Sequence, residues 1–535
     1  MSTAWWRLAA VLPPILLLAI PILLREGGPA GAPAEHTEHL VIIGPNNETI
    51  CTEFSHAFAL YARRELHAEV VIDWRTPGGT SEIVKLVDEQ FKAAFQVAHP
   101  ELSAAQRKAF NDHALDKPGD QPEELRRIRA GFLASDLGIG IDLMLGGGEF
   151  DHRVSLADKG YVVDVGLVKS MPEVFCDQVI PQRLGGETIY DPQGRYLGTA
   201  LSSFGICYSP DRLALIPGLP PPSSWSDLGD GRLLGAVAMA DPSKSGSVAN
   251  CYVMMIQEQL AHAVETSGES AATATPAHLD AGWQGGFALI KRIAGNARYV
   301  TDSATRVAYD VSRGDACAGM CIDFYGRSEA IWTRTESARE RLVYVTPKGG
   351  SAITADPISC FRGAPHRELA VAFMRFVLSK ECQRLWCYRV GEPGGPIRYE
   401  LHRWSVRRDL YTPQELAHQS DGREDPFALA AAYHGTPGWT GAYFDLIRST
   451  IKAVVLDPRQ ELVDAWGAIV RAGGPEQVPE AYAEWIWMPY QRHEADAAKL
   501  ALDAEKGDRQ ATLRRWCIAA QMHYRKAQAL AEEHR

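Results

Sequence analysis

The most informative chemical feature of the sequence is a loop rich in serine and glycine that precedes a helical segment. Residues 241–247 read DPSKSGS, and the apolar pattern that follows predicts a helix from Val248 to about Val264. Such a junction offers hydroxyl groups, free backbone N–H groups and the positive end of a helix dipole. It therefore predicts a site for a phosphate, a phosphonate or a carboxylate. Plain N-capping is the alternative, but it needs only one serine.

Two further segments place polar residues where a strand or a turn ends. Residues 76–81 read TPGGTS and precede a predicted helix from Glu82 to about Phe95. Residues 318–324 predict a strand, with Asp323, Tyr325 and Arg327 at its carboxyl end. Because side chains alternate along a strand, Asp323 and Tyr325 are expected to point the same way. These residues predict a polar cleft, although Tyr325 also suits a simple rim position.

Several classes of function are not supported by the residue patterns. The chain lacks the nucleotide-binding pattern GxxxxGK[ST], the GxSxG nucleophile elbow and the HExxH zinc helix. Lys and Arg total 55 against 66 Asp and Glu, which gives a net charge of −11 and no electrostatic footprint for nucleic acid. The ten cysteines contain no CxxC pair, and their pairing is left open. We therefore expect neither an enzyme nor a nucleic-acid-binding protein.

Strands and helices alternate along most of the chain. Strands are predicted at 39–43, 70–74, 139–145, 234–240, 342–347 and 355–360, with helices between them and an extended segment at 196–208. Helices are also predicted at 303–311, where Gly314 marks the end, and at 366–387. This alternation predicts doubly wound α/β sheets, in which ligands bind beyond the carboxyl ends of the strands. Residues 96–130 form a polar insertion.

The N-terminal segment predicts export. Leu8–Leu24 contains no charged residue and is 17 residues long, close to the minimum for a membrane helix. It is either a signal peptide or an uncleaved membrane anchor, and residues 1–38 comprise this segment and a tether. Both alternatives place the rest of the chain outside the cytoplasm, in the periplasm.

Residues 39–411 resemble the extracellular solute-binding proteins of ABC importers. The likeness is to the branch that takes iron(III), thiamine, polyamines and phosphonates and has the type II periplasmic-binding fold. It rests on PGGTS at 77–81, GTALSSFG at 198–205, WSDL at 225–228, DPSKSGS at 241–247, GDACAG at 314–319 and IDFYG at 322–326. The resemblance implies two doubly wound α/β lobes that are joined by hinge strands and close on one solute. It further implies an ABC permease as partner, a monomer, and no catalytic residues.

The resemblance also implies a set of ligand-binding residues at helix N-termini and hinge-facing loops. The matching positions of this chain are Thr80, Ser81, Ser202, Ser203, Ser245, Gly246, Ser247, Asp323 and Tyr325. Iron-binding members use two adjacent tyrosines where this chain has Phe324 and Tyr325, so Tyr325 is a metal ligand only if iron(III) is the transported solute. Because one phenolate is lost, a phosphonate or phosphate ester competes with iron(III) as the solute.

Residues 412–535 extend beyond the usual length of that family. Aromatic and apolar residues recur at helical spacing, which predicts a mainly helical extension packed on the second lobe. This apolar stripe consists of Tyr443, Phe444, Ile447, Ile451 and Val455. The extension could instead contact a partner, which keeps a sensory or interaction module as an alternative function. An exported hydrolase or transferase on the same scaffold is the other alternative.

Overall fold

The computed structural model describes residues 37–112, 122–421, 424–433, 435–503 and 506–534. The predicted signal peptide or membrane anchor at Leu8–Leu24 lies outside these residues. Within the described ranges, no helix combines the length and the apolar character that a membrane span needs.

Fourteen strands are described, and most of them belong to two mixed sheets. In chain order they are β1 (Thr37–Ile43), β2 (Glu69–Arg75), β3 (Leu143–Leu145), β4 (Val162–Val163), β5 (Arg183–Leu184), β6 (Glu187–Thr188), β7 (Leu197–Ser202), β8 (Phe204–Tyr208), β9 (Val237–Ala240), β10 (Ala297–Thr301), β11 (Ala318–Ile322), β12 (Val343–Val345), β13 (Thr354–Phe361) and β14 (Trp404–Ser405).

The α-helices of the described residues fill the spaces between these strands and form the C-terminal region. In chain order they are α1 (Glu48–Tyr61), α2 (Thr80–Ala98), α3 (Ala104–Asn111), α4 (Glu123–Ala134), α5 (Leu167–Ser170), α6 (Pro210–Leu213), α7 (Gly246–Thr266), α8 (Pro276–Asn296), α9 (Ala304–Arg313), α10 (Asp323–Ser337), α11 (Arg367–Leu378), α12 (Lys380–Cys387), α13 (Pro413–Leu416), α14 (Pro426–Ala431), α15 (Phe444–Ile451), α16 (Arg459–Arg471), α17 (Pro479–Trp485), α18 (Ala495–Asp503) and α19 (Lys506–Glu533).

Lobe 1 is built on a sheet with the strand order β14-β7-β13-β3-β1-β2, and β4 pairs with β13. Strand β1 runs parallel to both β2 and β3, and residues Leu40–Ile43 are buried. A strand with both faces covered by helices must be apolar throughout, which explains this continuous run. Helices α1, α11 and α12 pack in one core, and α2 to α4 pack in a second one.

The polar insertion is therefore part of lobe 1. Helix α2 continues to Ala98, and the rings of Phe95, Phe110 and Phe132 lie 4.3–5.4 Å apart between α2, α3 and α4. Residues 113–121 of the insertion lie outside the described ranges.

Lobe 2 is built on a five-stranded sheet with the order β10-β9-β11-β8-β12. The chain crosses between the lobes at Ser203, because β7 ends at Ser202 in lobe 1 and β8 begins at Phe204 in lobe 2. It crosses back between β12 and β13. The predicted fold class, two α/β lobes joined by hinge strands with an added C-terminal helical region, is confirmed.

The C-terminal extension contacts both lobes. Phe427 and Ala430 of α14 belong to the core of lobe 1, whereas the apolar residues from Trp439 to Ala531 share the core of lobe 2. The extension was expected to pack on the second lobe, and this holds from Tyr433 onward but not for α14. The chain therefore passes between the lobes a third time after Ala430.

Two local predictions differ from the structure. The segment 366–387 forms two helices, α11 and α12, because Ser379 ends the first and caps the second by accepting a hydrogen bond from Cys382 N. Strand β11 ends at Ile322, so Asp323 and Tyr325 stand in the first turn of α10 rather than on a strand. All ten cysteines are described and are free thiols, seven of them buried.

Candidate functional site

A cavity of about 830 Å³ lies where the two lobes meet. Its walls include the segments that follow β1, β2 and β3 in lobe 1 and β9, β10 and β11 in lobe 2. All six segments stand at the carboxyl ends of their strands. The cavity thus has the position at which α/β sheets bind ligands.

Five long helices begin at this cavity. They are α1, α2, α7, α9 and α10, and residues at or beside the N-terminus of each line the cavity wall. The N-caps of α2 and α9, Gly79 and Ser303, make no side-chain hydrogen bond to their own helices. Asn47 Oδ1 accepts from Ile50 N at 3.1 Å in α1, and Ser245 Oγ accepts from Val248 N at 3.5 Å in α7. Because helix N-termini carry partial positive charge, their convergence favours an anion.

Most of the predicted binding residues meet at this cavity. The ones that line it are Thr80, Ser81, Ser245, Gly246, Ser247 and Tyr325. They come from α2, α7 and α10, which belong to different lobes, so lobe packing brings them together.

Ser202, Ser203 and Asp323 do not line the cavity. Ser202 Oγ accepts a hydrogen bond from Arg403 Nη2 at 2.5 Å, and the Ser203 hydroxyl lies 3.2 Å from both Tyr344 Oη and Thr346 Oγ1. All three predicted residues are buried. In this structure the two serines connect the hinge strands.

The expected common direction of Asp323 and Tyr325 is wrong. Successive helical residues are rotated by about 100°, so two positions separated by two residues point about 200° apart. Tyr325 consequently faces the cavity, while Asp323 is buried and its N–H donates to Ser203 O at 3.0 Å. Burial raises the pKa of Asp323 to about 6, against the opposing effect of Arg327 and Arg403.

Sequence reasoning missed several residues of the cavity wall. Arg403 and Asp356 reach it from the hinge side, and Phe150 reaches it from the helical turn that follows the glycines after β3. Phe444 was predicted as part of an apolar stripe in the core, yet it is only partly buried and lines the cavity. A triplet of glycines at 146–148 was the one local signal near Phe150; nothing in the local pattern singles out the others.

The cavity wall carries more acidic than basic side chains: Glu82, Glu149, Asp151, Glu187, Asp302 and Asp356 against Arg153, Arg183, Lys244 and Arg403. Burial raises the pKa of Asp151 to about 6, and burial together with Glu149 raises the pKa of Glu187 to about 7. Both carboxyls thus lose part of their negative charge near neutral pH. Arg183 and Lys244 also line the cavity, and neither forms an ion pair with another described residue.

Tyr325 has no second tyrosine next to it in the chain. Its neighbour is Phe324, whose ring centroid lies 4.1 Å from that of Tyr325. Among the described residues, no group of three His, Cys, Asp or Glu side chains is placed to hold a metal ion. Iron(III) requires several anionic oxygen ligands.

Residues 152–394 match the family model described as a bacterial extracellular solute-binding protein. The resemblance predicted from the sequence motifs is thereby confirmed for this part of the chain.

Two curated relatives also match parts of the chain. The chain is 25% identical over 189 residues to the phosphoglycerate transport regulatory protein PgtC of Salmonella typhimurium, a match that covers 35% of this chain and 40% of that protein. It is 25% identical over 243 residues to an uncharacterized protein of Haemophilus influenzae, covering 45% of this chain and 59% of that protein. The chain thus spans about half the length of these relatives.

Solved structures of binding proteins are also similar. The periplasmic binding protein AfuA of Actinobacillus pleuropneumoniae, solved with exogenous fructose-6-phosphate, has 16% identity and a TM-score of 0.47, with 80% of this chain and 97% of that chain covered. Iron-bound HitA of Pseudomonas aeruginosa has 13% identity and a TM-score of 0.45, with 77% and 99% covered. At these scores the likeness decides nothing about the ligand.

Proposed function

We propose that this chain, whose residues 152–394 belong to the bacterial extracellular solute-binding proteins, binds a small anion between its lobes and delivers it to an ABC permease. The ligand class that the site favours is a phosphate ester or a phosphonate. The observation that carries the proposal is the convergence of five helix N-termini on one cavity between the lobes. The predicted segment Leu8–Leu24 would export the chain to the periplasm, and Thr80, Ser81, Ser245, Gly246, Ser247 and Tyr325 are its proposed contacts.

The electrostatics of the cavity support an anion. Each helix N-terminus acts like about half a positive charge, and the effect is confined to the first turn. Lys244 and Arg183 add full positive charges at the cavity wall. The raised pKa values of Asp151 and Glu187 reduce the opposing negative charge. The Salmonella relative is named for phosphoglycerate transport, which agrees with a phosphate-bearing ligand.

Iron(III) is the less favoured solute because Tyr325 has a phenylalanine, not a second tyrosine, beside it. An enzymatic role is also less favoured. The Ser245 hydroxyl lies 3.2 Å from Ser247 Oγ and accepts from Val248 N, so it caps a helix and has no general base as its hydrogen-bond partner.

A ligand panel tests the proposal. The purified chain would be screened by thermal shift and titration calorimetry against inorganic phosphate, 3-phosphoglycerate, glucose 6-phosphate, iron(III) citrate, spermidine and thiamine. A ligand that binds only the folded state stabilises it by about 2.7 kcal/mol at a concentration of 100 Kd. We expect a phosphate-bearing probe to give the largest rise in Tm, without release of inorganic phosphate.

A pair of matched variants locates the site. Ser247→Glu puts a carboxylate at the second residue of α7, where the helix dipole tolerates it but an anionic ligand is repelled. Ala277→Glu makes the same change at the second residue of α8, which does not line the cavity. Binding should be lost in the first variant and kept in the second. Binding that survives Ser247→Glu, or a panel with no phosphate-bearing ligand, contradicts the proposal; phosphate release would favour the hydrolase.

A further inference from the structure

The C-terminal extension forms part of the cavity wall. Tyr433, Thr440, Gly441 and Phe444 line the cavity although they lie beyond the solute-binding segment that the sequence motifs and the family model mark out. The extension is thus in a position to contact whatever occupies the cavity.

Buried hydrogen bonds hold this part of the extension against α7. Gln257 Nε2 donates to Thr436 O at 2.8 Å and to Thr440 Oγ1 at 2.6 Å, and Gln257 Oε1 accepts from Thr436 N at 2.8 Å. Gln257 is itself buried and also lines the cavity. Because three hydrogen bonds converge on one side chain, residues 436–440 have a defined position at the site.

The extension also contacts the predicted anion-binding loop. Arg448 of α15 donates from Nε to Pro242 O at 2.8 Å and from Nη2 to Ser243 O at 3.0 Å. Its guanidinium carbon lies 5.5 Å from the centre of the Phe444 ring. Helix α15 therefore connects the loop that begins α7 to an aromatic side chain at the cavity.

Phe444 reaches across to lobe 1. Its ring centroid lies 5.1 Å from that of Phe150, at an interplanar angle of 38°, and both side chains are partly exposed. Phe150 stands in the helical turn that follows the glycines after β3, and the guanidinium carbon of Arg153 lies 5.8 Å from its ring centre. This contact joins lobe 1 to the extension without using the hinge strands.

The cavity is larger than an inorganic anion requires. Its volume of about 830 Å³ lies within the range of about 300–1,000 Å³ that is typical of sites for organic ligands. Beside the helix N-termini the wall carries Val253, Met254, Phe150, Tyr433 and Phe444. Aromatic and apolar side chains of this kind suit a carbon skeleton, and the helix N-termini suit its charged group.

We propose that the extension supplies a specificity wall of the ligand site, in which Phe444 and Phe150 close over the organic part of an anionic ligand. The ligand is then an organic phosphate or phosphonate and not an inorganic ion. This inference rests on the function proposed above, because the charged group must lie at the helix N-termini.

Calorimetry with three probes tests the wall. Inorganic phosphate, 3-phosphoglycerate and glucose 6-phosphate would be titrated into the wild type, Phe444→Ala, Phe150→Ala and the double variant. We expect each single variant to weaken the better organic phosphate at least tenfold and to change inorganic phosphate less than twofold. The double variant should lose little more than either single one, since both substitutions remove the same contact. Phe444→Tyr should restore most of the affinity.

Trp332→Ala is the matched control. Trp332 is an exposed aromatic residue of α10 in lobe 2 and does not line the cavity. Its loss should leave all three affinities unchanged. Equal affinities of wild type and Phe444→Ala for the organic probe would overturn the inference, while loss of binding in Ser247→Glu would still support the proposed function. A wild type that binds none of the probes would overturn both.

Small-angle scattering of the ligand-free protein supplies a second readout. If the Phe150–Phe444 contact helps to hold the lobes together, Phe444→Ala and Phe150→Ala should raise the radius of gyration to a similar extent. An unchanged radius in both variants would contradict a closing role for the pair, whatever the calorimetry shows.

Discussion

Arg403, which is buried, forms an ion pair with Asp356 at the hinge, with Nη2 2.5 Å from Oδ2. The same nitrogen donates a hydrogen bond to Oγ of Ser202. Ser202 is the last residue of β7, directly before the chain crosses to lobe 2. The guanidinium carbon also lies 4.6 Å from the ring centre of Phe324 in lobe 2. One side chain thus connects two strands of lobe 1 to the helix that begins at the cavity.

The first prediction concerns this ion pair. Only 3% of the Arg403 side chain and 19% of the Asp356 side chain are exposed, so Arg403→Met leaves a largely buried carboxylate without its partner. Removing one member of a buried pair lowers the free energy of unfolding by about 3–5 kcal/mol. Urea denaturation measures the change.

Arg63→Met is its control, because the Arg63–Glu69 pair is roughly half exposed. Exposed pairs contribute about 0–1 kcal/mol, so this variant should unfold almost like the wild type. Equal losses in the two variants would show that Arg403 has no special structural role.

The second prediction concerns Lys291, which is fully buried where α8 meets the extension. Its Nζ donates to Trp487 O at 2.5 Å and to Trp485 O at 3.3 Å. Burial lowers the pKa of Lys291 from 10.5 to about 7. Between these values the unfolded chain binds a proton that the folded chain has lost, so the contribution of Lys291 to stability rises with pH from about 7 to about 10.5.

We expect Lys291→Met to remove that rise. The difference in unfolding free energy between wild type and variant, measured by urea denaturation from pH 6 to 9.5, isolates the lysine from other groups. Lys452→Met removes an exposed lysine paired with Asp457 and should leave the pH profile unchanged. A difference between wild type and Lys291→Met that is constant over this range would contradict the lowered pKa.

The third prediction concerns the pH dependence of anion binding. Glu187 and Asp151 line the cavity with pKa values raised to about 7 and about 6, so both become neutral as the pH falls from 8 to 5.5. At a separation of about 8 Å and an effective dielectric of about 20, one unit charge repels another by about 2 kcal/mol. Because about 2 kcal/mol corresponds to about a thirtyfold change in Kd, sulfate, whose charge is constant over this range, should bind at least thirtyfold more tightly at pH 5.5.

Glu187→Gln and Asp151→Asn should each flatten this profile, as read by calorimetry with sulfate. Glu258→Gln is the matched control, because burial raises the pKa of Glu258 to about 7 as well but its side chain does not line the cavity. A profile that responds to Glu258→Gln and not to the other two would place the titrating group outside the cavity.

The fourth prediction concerns Gly147, which has a φ of +97° in the loop after β3. A Cβ there would lie 2.8 Å from Thr80 Cγ2, at the start of α2. Gly147→Ala should therefore weaken anion binding. It should also lower the free energy of unfolding by about 1–2 kcal/mol, because alanine is strained at this φ.

Gly268→Ala separates the two effects. Gly268 has a φ of +76°, but nothing lies within 4 Å of the Cβ that alanine would add. Gly268→Ala should lower the free energy of unfolding measured in urea, because of its backbone strain, and should leave the affinity measured by calorimetry unchanged. An affinity loss common to both variants would assign the effect to backbone strain alone.

Local patterns predicted most of the strands and helices and the loops that begin α2 and α7. A serine, threonine or glycine before a helix has its effect within one turn, so Thr80, Ser81 and Ser245 to Ser247 could be recognised without knowing the fold. Asp323 was misjudged because the boundary between β11 and α10 decides its direction. When the strand ends two residues earlier than predicted, the side chains that follow are arranged with the helical period of 3.6 residues and no longer with the strand period of two.

By itself, the sequence determined the α/β class and the loops that begin helices, because these depend on residues that are close together in the chain, whereas the two lobes were implied by the family resemblance. Only the tertiary structure decided that Arg403 meets Asp356, since β14 and β13 both pair with β7. It likewise decided that Phe444 of the extension faces Phe150 across the cavity. Contacts between distant segments depend on how the strands pair and how the lobes pack, and the periodicity of residues along the chain does not indicate which segments will meet.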